Sequence, residues 1–190
     1  MRIVAGTLRG RTLVAPSGVS TRPTADRTRQ ALFNVLEHAP WSRALKDMRV
    51  LDVFAGSGAL GLEALSRGAG FCLFIDNEAG ARAAIEANLQ RLDLVRRARV
   101  ERWDVERLPA RSAAGSDRFH LAFLDPPYGA ALATPALAAL AKGDWLTAGA
   151  IAALELGARD PPPAASEFEL VEERTWGAAR VRFLTLAENA

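Results

Sequence analysis

The sequence predicts an α/β fold: a mostly parallel, seven-stranded sheet that closes in a C-terminal antiparallel hairpin, with a basic β-hairpin ahead of it. Three observations lead there. Short apolar runs alternate with longer stretches whose apolar residues recur at helical spacing, the pattern of strand–helix–strand units. Crossovers between parallel strands are right-handed, which leaves few arrangements for such a series. The last two apolar runs are separated only by the turn at Trp176-Gly177, so they must pair antiparallel.

Residues 2–15 alternate about Gly6 and Gly10, which suggests the basic hairpin; residues 16–23 form a turn-rich connector. Thr24-Ala25-Asp26 can cap a helix reaching Glu37, with Ala31, Leu32, Val35 and Leu36 on one stripe. Residues 48–54 read as the first strand, 55–59 as a glycine loop and 60–67 as a short helix stopped by Gly68. The second strand, 71–75, ends at Asp76; a helix at 79–91 turns Ile85 and Leu89 inward. The third strand, 98–103, ends at Asp104, and a polar loop at 111–118 precedes the fourth, 119–124, which ends at Asp125. A helix at 134–142, a fifth strand at 151–156, a proline-rich loop at 160–166 and strands at 167–173 and 180–186 complete the chain.

The totals set bounds. A length of 190 residues suits one domain with a sizeable core, and 49% apolar with 24% charged residues is ordinary for a globular protein. No apolar run approaches membrane-spanning length and the N-terminus has no signal pattern, so the expected location is cytoplasmic. The single cysteine, Cys72, excludes an internal disulfide and lies in an apolar strand, where an inert buried thiol is expected. His38 and His120 stand at no ligand spacing, so no metal site is expected. Net charge is only +2, yet Arg2, Arg9, Arg11, Arg22, Arg27 and Arg29 crowd the first thirty residues against Asp26 alone. Arginine in such a cluster suits phosphates and bases; a solvated basic face is the plainer alternative. A helix N-terminus already favours anions, so arginines there point to a ligand-facing role.

Three acids at strand tips, Asp76, Asp104 and Asp125, would share the edge where open α/β sheets bind ligands. Gly56, Gly58 and Gly61 match G-x-G-x-x-G, which also fits a dinucleotide site with Asp76 as its ribose acid. Asp52, in the strand just before the glycines, would repel a pyrophosphate. It suits instead the cationic amino-acid end of S-adenosylmethionine. The cofactor contacts expected are Asp52, the loop Phe54, Ala55, Gly56, Ser57 and Gly58, then Asp76 with Asn77 for the ribose, and Asp104 with Val105 for the adenine. Asp76 and Asp104 could each instead be a helix cap or turn former, the less favoured reading.

Asp125-Pro126-Pro127-Tyr128 supplies two acceptors, the Asp125 carboxylate and the Pro126 carbonyl, beside an aromatic face. That chemistry suits a planar base carrying an exocyclic amine, although Asp-Pro also starts ordinary turns.

Arg9-Gly10-Arg11, Arg22-Pro23-Thr24 with Asp26-Arg27, the run from Phe54 to Ala69, and Asp125-Pro126-Pro127-Tyr128 together resemble the Rossmann-like methyltransferases that use S-adenosylmethionine. More narrowly, they resemble the bacterial 16S rRNA guanine-N2 methyltransferase family called RsmD, across essentially the full chain. The resemblance implies methyl transfer to the N2 amine of one guanine in 16S rRNA of an assembled or assembling small subunit; separately, a monomer is expected. Asp125, Pro126, Pro127 and Tyr128 would then be catalytic, and Arg9, Arg11, Arg22, Arg27 and Arg29 would contact RNA. Residues 1–20 would be an RNA-binding extension and 21–190 the methyltransferase domain. The chain departs from the family at Gln30 and Asp76, where Glu is usual or frequent. Rival readings are an adenine-N6 methyltransferase with the same pocket, an NAD-dependent oxidoreductase and a catalytically silent RNA-binding module.

Overall fold

The computed structural model describes residues 1–16, 23–110, 117–127 and 130–187. The helices are α1 (Pro23–His38), α2 (Ala59–Ser66), α3 (Ala79–Arg91) and α4 (Ala130–Lys142). The strands are β1 (Arg49–Val53), β2 (Phe71–Ile75), β3 (Ala98–Glu101), β4 (Phe119–Leu124), β5 (Leu146–Gly157), β6 (Phe168–Trp176) and β7 (Ala179–Leu186). They form one seven-stranded sheet in the order β3-β2-β1-β4-β5-β7-β6. The β1–β2, β2–β3 and β4–β5 pairs are parallel, and β7 pairs antiparallel with both β5 and β6. The expected α/β architecture with its closing hairpin is therefore the one observed. Among the described residues no helix is long and apolar enough to cross a membrane.

The backbone divides into two compact units, Met1–Arg102 and Trp103–Ala190. In the first, Phe33, Leu51, Leu62, Phe74, Ile75 and Ile85 are fully enclosed. Helix α2 ends in a Schellman motif: Ala69 N–H donates to the Ala64 carbonyl and left-handed Gly68 to that of Leu65. In the second unit Trp145 is the largest buried side chain; it lies at 6.0 Å from Phe119, meets Trp103 edge-on, and donates its indole N–H to the Pro109 carbonyl. Burying that indole would be costly without the acceptor.

Three elements differ from expectation. The N-terminal hairpin is reduced to one antiparallel bridge, Arg2 with Thr12. Its ladder stops because the next amides are used elsewhere: Val4 and Ala5 N–H donate to the Glu63 carboxylate, and Thr7 N–H to the Ser66 carbonyl. Helix α4 begins a turn early and carries Pro135 inside it. Strand β5 begins five residues early, through a register shift against β4 that left-handed Gly149 accommodates.

Candidate functional site

The three glycines of the loop after β1 and the start of α2 do different jobs. A Cβ on Gly61 would lie 2.4 Å from the Phe74 ring and 2.5 Å from the Cys72 sulfur, so this glycine lets α2 pack onto β2. Gly58, left-handed at φ +75°, has Ile85 and Phe74 just over 3 Å from the same position, at 3.1 and 3.2 Å. Gly56 is different. Its φ is +56°, and the nearest atom to a methyl placed there would be the Phe54 carbonyl oxygen at 4.0 Å. The backbone there faces open space, as a close-approaching ligand requires. Phe54 is itself left-handed, φ +59°, a conformation a bulky residue adopts only under constraint.

Two acids hold this loop. Asp76, half-buried just past β2, accepts the Gly56 N–H at 2.8 Å with one oxygen and the Glu78 N–H at 2.9 Å with the other. Each oxygen keeps a further lone pair, so the carboxylate is fixed and still able to accept. Asp52 lies in β1 just before the glycines, as expected. It is 2% exposed, and its carboxylate accepts the Gly61 N–H at 2.8 Å, inside the first turn of α2. It acts from beneath the loop as a charged cap for a helix whose N-cap, Gly58, has no side chain. Burial, with the Asp52 charge adding to it, pushes the Cys72 thiol well above its usual range. Ser57 is half-buried and its carbonyl accepts from Asn88 at 3.2 Å. Asn77 is exposed, and its carbonyl accepts from Arg82.

Asp104 falls three residues beyond the end of β3 rather than at its tip. It is exposed, and its carbonyl starts the single turn Val105–Arg107, with Val105 buried. Asp125 follows β4 directly. It keeps an exposed surface, but the protein around its other sides pushes its carboxyl up from 3.8 to about 6 by burial. Pro126 is buried and Pro127 exposed. Tyr128 lies outside the described residues, as does Arg22. A residue that sequence reasoning missed stands beside Asp125: Glu155 of β5, half-buried and raised to about 7 by burial and then by the Asp125 charge. Its signal was only one acid in an apolar strand.

The arginines separate into two groups. Arg9, Arg11 and Arg27 are exposed. Arg29 is 4% exposed and turned inward, donating to Asp26 at 2.7 Å and to the Arg2 carbonyl, with Glu63 at 3.6 Å. It fastens α1 to the N-terminal segment, so its position is not that of an RNA contact. Gln30 spends its amide on Asn34 at 2.8 Å on the exposed face of α1.

A family model described as Conserved hypothetical protein 95 matches residues 1–185. Ribosomal RNA small subunit methyltransferase D of Haemophilus influenzae is 32% identical over 186 residues, 96% of this chain and 92% of that protein. The protein of the same name from Escherichia coli is 37% identical over 146 residues, 77% of this chain and 69% of its own. Among solved structures, YhhF from Escherichia coli superposes with a TM-score of 0.78 at 32% identity, covering 98% of this chain and 97% of that one.

Proposed function

Since this chain belongs to the RsmD family, the relatives named ribosomal RNA small subunit methyltransferase D, we propose that it transfers a methyl group from S-adenosylmethionine to the N2 amine of one guanine in 16S rRNA of the small subunit. The observation that carries this reading is Asp125: a carboxylate at the carboxyl end of a buried strand, desolvated but reachable, with Pro126 and Pro127 next in the chain.

The open space over Gly56 and the anchored Asp76 carboxylate fit the cofactor. Phe54 to Gly58 would hold its amino-acid end, Asp76 and Asn77 its ribose, and Asp104 with Val105 its adenine. Asp52 would contribute only its charge from below. The cofactor brings a methyl already activated by a sulfonium, so the chain's task is positioning. Guanine N2 is a poor nucleophile because its lone pair is delocalised into the ring. Asp125 and the Pro126 carbonyl would accept its two protons and turn the nitrogen towards tetrahedral geometry. Asp125 is ionised for this above about pH 6. Tyr128 would stack on the base, which must leave any helix to be reached. The proton lost after transfer goes to Asp125 or to water. Arg9, Arg11 and Arg27 would take RNA phosphates. The protein would work in the cytoplasm, as a monomer.

The test is methylation of small subunits from a strain lacking the family enzyme, followed by nucleoside analysis. We expect N2-methylguanosine, lost in Asp125→Ala while calorimetric binding of S-adenosylmethionine persists. Full activity of that variant would remove Asp125 from the mechanism, and N6-methyladenosine as product would refute the guanine assignment.

A further inference from the structure

Strands β4 and β5 run parallel, with Phe123 beside Ala153 and Leu124 beside Leu154. One more step in the same register sets Asp125 beside Glu155. Neighbouring strands lie about 4.8 Å apart, and laterally paired residues point to the same face. Two carboxyls are thus placed together at the carboxyl end of β4.

Among the described residues of the neighbouring strands and helix, no cation is seen to neutralise the pair. On β7 the residue opposite Glu155 is Val181; Arg180 and Arg182 oppose Leu156 and Leu154 and so alternate to the other face. Arg182 is paired with Glu173 at 3.0 Å, and Arg180 donates to the Asp160 carbonyl. On β6, Arg174 opposes Val181 but is paired with Glu172 at 2.6 Å. Lys142 lies at the C-terminal end of α4, whereas the chain enters that helix from Asp125. Folding would be better served by a valine or glutamine at 155, because a half-buried acid beside a second acid opposes the compact state. Such placements mark functional sites.

Purine edges explain what two adjacent acceptors would read. Guanine presents its exocyclic amine next to a protonated ring nitrogen, a donor beside a donor. Adenine presents its amine next to an unprotonated ring nitrogen, a donor beside an acceptor. Resting on the guanine reading above, we propose that Glu155 is a specificity-determining residue: Asp125 takes the exocyclic amine, and ionised Glu155 accepts from the adjoining ring N–H that guanine has and adenine lacks.

The test uses reconstituted small subunits whose target nucleoside is guanosine or 2-aminopurine riboside, which keeps the amine and lacks the ring N–H. The wild-type protein should prefer guanosine by about 10- to 100-fold in kcat/KM, the range for a hydrogen bond to a charged group. Glu155→Ala should bring that ratio close to one while its affinity for S-adenosylmethionine and its circular dichroism stay unchanged. In Glu155→Gln the alkaline-rising limb of kcat/KM should move from about pH 7 to about 6, because only Asp125, raised by burial, is left to titrate. A preference for guanosine that survives in Glu155→Ala, or a limb that stays in place in Glu155→Gln, would overturn the assignment. Absence of N2-methylguanosine from the wild-type reaction would instead refute the parent reading, before any variant is compared.

Discussion

Gly6 and Gly10 offer a matched pair of substitutions that isolates one contact. Both are left-handed, at φ +79° and +84°, so alanine at either costs about 1–2 kcal/mol of backbone strain. They differ in what the new methyl meets. At Gly10 nothing lies within 4 Å; at Gly6 the methyl would stand 2.0 Å from the Ser66 carbonyl oxygen and 2.3 Å from its carbon. Those are backbone atoms at the end of α2 and cannot rotate aside. Relief requires lifting the N-terminal loop, which breaks Thr7 N–H to the Ser66 carbonyl (2.8 Å), Leu8 N–H to Ser66 Oγ (3.0 Å) and Ser66 Oγ–H to the Ala5 carbonyl (2.6 Å). At about 1 kcal/mol each, the three bonds add roughly 3 kcal/mol to the cost at Gly6 alone. Urea unfolding followed by circular dichroism should place Gly6→Ala about 3 kcal/mol below Gly10→Ala. In melting temperature that is on the order of 6–12 °C for a chain of this size. Equal losses in the two variants would refute the docking of this loop on α2.

Glu63→Gln removes a fully buried carboxylate that accepts from Val4 and Ala5 N–H (2.7 and 2.9 Å) and from Arg67 (2.8 Å). Arg67 keeps Glu37 at 2.8 Å and Arg29 keeps Asp26 at 2.7 Å, so the loss is that of charge-assisted hydrogen bonds, about 2–3 kcal/mol by urea unfolding; a loss below about 1 kcal/mol would show that the charge is not what holds the segment. The acid pair gives a pH dependence of stability. Asp125 and Glu155 rise from 3.8 and 4.5 to about 6 and about 7 on folding, so between those limits the folded state binds more protons than the unfolded one. Their contribution to stability therefore falls as pH rises from about 4 to about 7 and levels off above. Melting temperatures across that range should decline less in Glu155→Gln than in the wild-type protein, and parallel curves would show that Glu155 does not titrate with this shift.

Periodicity made the strands and helices legible because burial on a sheet or helix face imposes it directly. Pro135 misled the start of α4, since proline is at home in a first turn and the sequence does not show that this helix tolerates one further in. The early part of β5 was hidden because Thr147 is half-buried and residues 148–149 are exposed, which interrupts the apolar pattern where the register shifts. At the site, the tip acids Asp76 and Asp125 were readable from their place at strand ends. Arg29 was not: its ion-pair partners include Glu63, far away in sequence, and nothing local distinguishes it from exposed Arg27. Glu155 acquires meaning only through lateral register with β4, which one sequence does not encode in any local pattern.

Asp52, Asp76 and Glu63 share a feature that bears on how the first unit would work. Each spends its carboxylate on backbone N–H groups: Asp52 on Gly61, Asp76 on Gly56 and Glu78, Glu63 on Val4 and Ala5. Buried Asn88 adds a neutral link, accepting from Val14 N–H and donating to the carbonyls of Val14 and Ser57. The glycine loop and the segment bearing Arg9 and Arg11 are thereby fixed to one helix-and-strand frame by bonds to main chain rather than between surface side chains. A loop with two glycines would otherwise lose much conformational entropy on binding a ligand. Here that ordering is completed on folding, so affinity for the cofactor need not be spent on it. The same links couple the basic segment to the loop through Asn88, a connection made of three hydrogen bonds on a single side chain.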